Sequence, residues 1–161
     1  MNYRVGLGYD VHRLAEGEEL WLGGVRIPHY KGTVAHSDGD VLLHAISDAM
    51  LGAARLRDIG FHFPDTSEEY KNADSKVLLA EAYRMVKEKS YRIVNIDSTI
   101  AAQKPKLMSF IPQMEKKIAE VLGIDEEDVS VKATTTEGLG PEGREESISV
   151  QAVVLLQKQV S

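Results

Sequence analysis

His36-Ser37-Asp38-Gly39-Asp40-Val41-Leu42-Leu43-His44 packs two imidazoles, two carboxylates and a hydroxyl into nine residues. Its second half reads as the entry to a helix. Asp38 or Asp40 offers a side-chain oxygen to cap the first turn, and Val41, Leu42, Ile46, Ala49, Met50 and Ala53 then give a largely apolar face that runs to about Ala54. His44 falls in the second turn. Upstream, Tyr3, Val5, Leu7 and Tyr9 alternate with smaller or polar residues, which is the period of a strand. Asp10 and His12 lie just past that strand and share a face if extended backbone continues. Three of the five histidines in the chain fall in these two segments. A strand that delivers Asp10 and His12, beside a helix that delivers His44, sets the pattern for the rest.

Outward from this centre, Leu14 to Glu19 reads as a polar loop. Leu20-Trp21-Leu22, Gly23-Gly24 and Val25-Arg26-Ile27-Pro28 read as a hairpin around a glycine turn. Residues 55–73 are rich in Gly, Pro, Asp, Ser and Asn and form a long loop, of a length more often functional than idle. Asp74 or Ser75 caps a second helix with Val77, Leu78, Ala82, Met85 and Val86 inward, ending near Lys89-Ser90. Tyr91 to Ala102 is a strand, broken by Pro105 to Leu107. A third helix follows to Leu122, with Gly123 at the favoured stop position. Val129 to Thr135 is a strand, Gly138 to Gly143 a glycine loop and Ile148 to Leu156 a last strand. Strands and helices alternate, so we expect an α+β two-layer sandwich: a mixed four-stranded sheet with helices on one face, plus a small hairpin. The 161 residues suffice for one domain, with no repeat or linker to divide them.

Composition narrows the chemistry. There are no cysteines, so any metal is held by imidazole and carboxylate. The net charge of −6 and the lack of a long basic block argue against a nucleic-acid surface. The amino terminus lacks the features of a signal peptide and no apolar run is long enough to span a bilayer, so a cytoplasmic protein is expected. An acidic chain that binds phosphates must do so locally, with metal ions, aimed lysines or backbone amides.

Two ligand sets are available for a metal. Asp10, His12 and His44 make a His₂-carboxylate triad with a fourth position left open. Asp40, His44 and Asp48 are four apart on one helix face, but Asp40 equally suits the helix dipole and Asp48 is an ordinary neighbour of His44. The same residues could simply be hydrogen-bonded groups at element ends. His29 and His62 have no partners in sequence and read as surface or loop residues. A second unusual stretch, Lys132-Ala133-Thr134-Thr135-Thr136-Glu137-Gly138-Leu139-Gly140, presents hydroxyl and amide donors at a strand end. Threonine is also common in ordinary strands. Gln103-Lys104-Pro105-Lys106, Asp58-Ile59-Gly60 and Phe63-Pro64-Asp65-Thr66-Ser67 suit ligand loops and plain turns alike.

Taken together, several segments resemble the 2-C-methyl-D-erythritol 2,4-cyclodiphosphate synthase family of the non-mevalonate isoprenoid pathway. They are Gly8-Tyr9-Asp10-Val11-His12, Gly23 to Pro28, Ala35 to His44, Asp58-Ile59-Gly60, Phe63-Pro64-Asp65 and Val131 to Glu137, in the family's order over nearly the whole chain. The resemblance implies a lyase that closes 4-diphosphocytidyl-2-C-methyl-D-erythritol 2-phosphate to a cyclic diphosphate and releases CMP. It implies Asp10, His12 and His44 as zinc ligands, with Asp10 and His12 also against the substrate, and Glu137 as the ligand of Mg²⁺ or Mn²⁺. It implies His36 and Thr135 as the pair that stabilises the transition state, and Ser37 as a phosphate contact. Asp58, Ile59, Gly60, Phe63, Pro64, Asp65, Thr66 and Ser67 match the methylerythritol side. Ala102, Gln103, Lys104, Pro105, Lys106, Leu107 and Met108, with Ala133, Thr134, Thr135 and Thr136, match the cytidine diphosphate side.

The family likeness further implies a homotrimer with each active site between adjacent subunits, and an isoprenoid diphosphate at the trimer axis near Pro141 and Arg144. The sequence departs from the family at Gly138, Pro141, Ser109 and Arg144-Glu145-Glu146, none of which is a matched metal ligand. A metal-dependent phosphodiesterase on the same site, with His36 as base, and a non-catalytic nucleotide- or isoprenoid-binding trimer are the competing functions.

Overall fold

The amino-terminal strand β1 (Tyr3–Glu16) sorts its residues onto two faces. Tyr3, Val5, Leu7, Tyr9 and Val11 point to one side and are exposed, Val5 by 70%. Gly6, Gly8, Asp10 and His12 point to the other, where the helices lie. The computed structural model describes residues 2–160. After β1 come the hairpin β2 (Leu20–Leu22) and β3 (Val25–Ile27), then β4 (Lys31–Thr33), α1 (Val41–Ala53), α2 (Ile59–His62) and α3 (Ser75–Glu88). They are followed by β5 (Tyr91–Ala101), α4 (Ile111–Leu122), β6 (Val129–Thr134), α5 (Gly140–Gly143) and β7 (Ser147–Lys158).

The main sheet has the order β4-β1-β7-β5-β6, and β2-β3 form a separate two-stranded sheet. Neighbours run antiparallel except β5 and β6, which are parallel. The architecture is the expected α+β sandwich with one strand more. The fifth strand, β4, pairs only Lys31, Gly32 and Thr33 with Glu16, Ala15 and Leu14. Three residues carry no readable period. Because β4 and β7 flank it, β1 stays paired through Glu16. Asp10 and His12 therefore lie within the strand rather than past it, and Leu14 to Glu16 are not a loop.

The core lies between the sheet and α1, α3 and α4, and is centred on Leu42, Ile46, Met50, Leu79, Ile96, Ile100, Met114 and Ile118. α4 carries Pro112 in its first turn and stops at Gly123 in the left-handed conformation, φ 67°. α3 is capped by Asp74, whose side chain accepts from Lys76 N at 2.9 Å. Its inward residues are Ser75, Leu78, Leu79, Ala82, Tyr83 and Val86. Val77, expected inward, is exposed, and Met85 is only partly buried. The stripe is centred on Leu79, one step on in helical phase. The long 55–73 segment contains α2 and a 3₁₀ turn at Glu68–Tyr70, and the glycine loop after residue 138 contains α5.

Candidate metal centre

Two missing side chains set the distance between β1 and α1. A Cβ on Gly8 would lie 1.8 Å from Ala45 O, and one on Gly6 would lie 1.9 Å from Ala49 O. Strand and helix can approach this closely only with glycine at both places. The next two residues on that face of β1 are Asp10 and His12. The residue just before Ala45 on α1 is His44. Close packing of backbone on backbone thus brings the three side chains together.

Asp10 Oδ2 lies 3.1 Å from His12 Nε2 and 3.2 Å from His44 Nδ1, and the two nitrogens are 3.4 Å apart. These three form the one cluster of metal-ligating atoms found among the described residues. Tetrahedral ligands at bonds of about 2.0–2.1 Å lie about 3.3 Å from one another, so the spacing fits one ion with a position to spare. Burial works to raise the Asp10 carboxyl, but hydrogen bonds from His12 and His44 outweigh it and hold it at about 2. Burial also works to lower His44, and the hydrogen bond to Asp10, with the charges of Asp10, Asp40 and Asp38, raises it instead. The centre is therefore an electronegative pocket that draws a cation or a proton.

The alternative set Asp40, His44 and Asp48 is not assembled. Asp40 is fully buried and caps α1 through Leu43 N at 3.0 Å. It also accepts Gly23 N at 3.0 Å and Gly24 N at 2.8 Å, tying the hairpin to the helix. Asp48 accepts Ile59 N at 2.8 Å and so anchors α2. Asp38, expected to help start α1, instead receives Ser75 N at 2.9 Å at the head of α3. His62 lies in α2 with Nε2 2.6 Å from Leu56 O, and His29 is half-buried after the hairpin.

The triad opens into a cleft of about 180 Å³. His36 and Ser37 line one side of it, and Ile59, Gly60, Phe63 and Asp65 line the other. Asp58 is not on the wall. It caps α2 through Phe61 N at 3.0 Å and orients the residues that are. Pro64, Thr66 and Ser67 follow outside the lining. Sequence reasoning missed Tyr70 and Leu78, which also line the cleft and come from the end of the loop and the start of α3. Neither has a local signature for such a role.

The family model of the YgbB family matches residues 3–157. The chain belongs to the YgbB family. A Bacteroides thetaiotaomicron protein named 2-C-methyl-D-erythritol 2,4-cyclodiphosphate synthase is 60% identical over 158 residues, 98% of this chain and 99% of that one. A protein of the same name from Shouchella clausii is 59% identical over 155 residues, 96% of this chain and 98% of that one. Among solved structures, the bifunctional IspDF of Campylobacter jejuni superposes with a TM-score of 0.94 at 47% identity. That match covers 98% of this chain and 42% of the longer bifunctional one. A CDP complex of IspF from Plasmodium falciparum superposes with a TM-score of 0.86 at 37% identity, covering 99% and 98% of the two chains.

In this YgbB-family chain the remaining predicted residues gather at a second place. Ala102 N donates to Thr134 O at 3.0 Å and Gly138 N to Gln103 Oε1 at 3.1 Å, which joins the 102–108 loop to the 133–137 loop. The Lys104–Pro105 peptide is cis. Lys104, Lys106 and Met108 are exposed, Pro105 half-buried, and Ala102 and Leu107 buried. Ala133, Thr134, Thr135 and Glu137 are exposed and Thr136 is partly so, its hydroxyl donating to Leu139 O at 2.6 Å. Val11, Ser149, Ala101 and Thr134 sit opposite one another across β1, β7, β5 and β6. The second place is thus two to three strand spacings from the triad, about 10–14 Å. None of its residues lines the cleft, and Glu137 is not part of the metal cluster.

Proposed function

We propose that this chain converts 4-diphosphocytidyl-2-C-methyl-D-erythritol 2-phosphate to 2-C-methyl-D-erythritol 2,4-cyclodiphosphate and CMP, as a single-domain lyase of isoprenoid synthesis. The observation that carries the reading is the triad itself: Asp10, His12 and His44 converge on one point whose open side faces the cleft between His36–Ser37 and Ile59–Gly60. One carboxylate and two imidazoles, with no thiolate, suit zinc. Glu137, on an exposed loop, would suit a harder ion, Mg²⁺ or Mn²⁺. Asp10, His12 and His44 would hold the one ion and Glu137 the other, and bound there they would supply Lewis-acid neutralisation of phosphate charge.

The reaction needs little covalent help. An oxygen of the 2-phosphate forms a bond to the β-phosphorus. The bond from that phosphorus to the bridging oxygen breaks, and its electron pair leaves with CMP. No water is consumed and no protein nucleophile is required, so the chain's task is to fold the substrate and neutralise its charge. Ile59, Gly60, Phe63 and Asp65 wall the space for the methylerythritol. Ser37 contacts phosphate. His36 lines the same cleft, and its Nε2 is buried without a partner among the described residues. Thr135 is its counterpart at the nucleotide end. There the 102–108 backbone, Lys106 and the 133–136 segment hold the cytidine diphosphate.

Within one chain the triad's cleft is lined by none of the 102–108 or 133–137 residues. We assign the site to adjacent subunits of a cytoplasmic homotrimer. In support, β1 and β7 leave Val5, Leu7, Tyr9, Val11 and Val153 exposed on the uncovered face of the sheet, an apolar patch of the kind that marks an interface. An isoprenoid diphosphate on the trimer axis would draw on Arg144, whose guanidinium is engaged by Glu146 at 2.9 Å, beside Pro141 in α5.

Incubation with the diphosphocytidyl substrate, Zn²⁺ and Mg²⁺, followed by ³¹P NMR, tests the assignment. Equal amounts of cyclic diphosphate and CMP are expected. CMP with an open-chain product would make the protein a phosphodiesterase. Bound nucleotide with no turnover would make it a binding module.

A further inference from the structure

His44 has two ring nitrogens and the triad uses one. Nδ1 faces Asp10 and His12. Nε2 faces away, 2.8 Å from Ser75 Oγ and 3.3 Å from Ser37 Oγ. Ser75 is the first residue of α3 and is 1% exposed. Its hydroxyl makes a short hydrogen bond to Asp38 Oδ1, and its backbone N–H donates to Asp38 Oδ2 at 2.9 Å. Asp40 N donates to Asp38 Oδ1 at 3.1 Å.

The direction of the protons follows from this pattern. Both oxygens of Asp38 already accept a backbone N–H, so toward the Ser75 hydroxyl Asp38 is an acceptor. A hydroxyl has one proton, and here it points at Asp38. Only a lone pair is left toward His44. In the neutral ring Nε2 must then carry the hydrogen, and Nδ1 must be bare.

We infer that Asp38 and Ser75 form a positioning relay that fixes His44 as the Nε2–H tautomer and so presents its Nδ1 lone pair at the triad before any metal arrives. Neither residue lines the cleft. The relay works through His44, as outer carboxylates and carbonyls do for metal-bound histidines elsewhere, with a serine set between. It also joins the centre to the cleft wall. Asn72 N donates to His36 O at 2.9 Å, so 36–38 and 72–75 are fastened at both ends. Phe63, Asp65 and Tyr70, which line the cleft, lie on the chain leading into that fastening.

The inference rests on the metal-centre reading, but one readout does not depend on metal. ¹⁵N NMR of the metal-free protein, at a pH where the ring is neutral, should find His44 protonated at Nε2. Ser75→Ala should give mixed tautomers, and Ser75→Thr, which keeps the hydroxyl, should restore the wild-type pattern. Zn²⁺ affinity, from competition with a chromophoric chelator, should weaken about 10- to 100-fold in Ser75→Ala. Its metal-free form should stay folded, with native far-UV circular dichroism, but melt at a lower temperature, because the buried His44 Nε2–H is left without its acceptor. Asp38→Asn, which sets an amide NH₂ against a backbone N–H, should shift the tautomer in the same direction. A wild-type tautomer and affinity within about twofold in Ser75→Ala would overturn the relay. So would an effect that appears only when Ser37→Ala is added, since Ser37 would then hold the ring. A wild-type protein that takes up no Zn²⁺ would remove the metal reading, and the ¹⁵N pattern would decide the relay alone.

Discussion

His44 sits in the first turns of a buried helix, yet three carboxylates raise its proton affinity above the ordinary value of 6.5. Asp10, beside it, is held at about 2 against an ordinary 3.8. These opposite shifts give the metal-free protein a definite pH dependence. Asp10 has a folded value below its unfolded one, so its contribution is present above about pH 4 and is lost as pH falls toward 2. His44 has a raised folded value, so its contribution is present below pH 6.5 and is lost as pH rises through the raised value. The pair should therefore stabilise the metal-free chain most between about pH 4 and 6.5, the Asp10 share being at most about 2.5 kcal/mol. Thermal melting across pH checks this, and a melting temperature that stays flat above pH 6.5 counts against it. Metal must displace the His44 proton, so uptake should strengthen as pH rises. His44→Ala should abolish metal binding and turnover while the far-UV circular dichroism stays native. Unchanged zinc content in that variant would sink the ligand assignment.

At the level of elements, β1 and α1 determine the centre by their separation. Gly8→Ala would place a methyl group 1.8 Å from Ala45 O, and the helix would have to move. We expect a loss of about 1–3 kcal/mol or more from overpacking, together with weaker metal binding, because His44 travels with the helix. Denaturant titration and metal affinity measured on one sample check both. A variant that binds metal normally would show that the glycine seat does not position His44. Much of this arrangement was legible in the sequence. Asp40 reads as a cap, His44 as an early helical residue, and Asp10 and His12 as two points on one face of extended chain. The four longer strands, the hairpin and the three long helices carry periods or turn signals that local physics supplies. What escaped reading depends on partners distant in the chain. β4 is three residues long and exists because β1 is there to pair with it. Asp38 looks like an α1 cap but meets Ser75 on α3. Ser75 looks like a helix start and nothing in its neighbours points to His44. Tyr70 reaches the cleft through a loop whose path no local preference fixes. Val77 and Leu79 show the limit of phase: one residue of error turns an inward side chain outward.

For the molecule as a whole, the row Val11–Ser149–Ala101–Thr134 spans the sheet between the triad and the 102–108 and 133–137 loops, the proposed metal and nucleotide halves. If neighbouring copies complete each other, two inactive variants should rescue one another. His44→Ala lacks the metal half and Thr135→Ala the nucleotide half. Unfolded together and refolded as an equal mixture, they should form random trimers in which about a quarter of the sites join two intact halves. Activity near that fraction, against almost none for either variant alone, is the expected result. No recovery would place both halves in one chain. The same division has a genetic consequence. A lesion confined to one half, co-expressed with the normal chain in equal amount, should leave about half the sites alive, since each site samples that half from one subunit only. A lesion in both halves should leave about a quarter, because a live site then needs two normal neighbours. Two individually inactive alleles would thus restore activity together, while a doubly damaged one would lower that of its healthy counterpart.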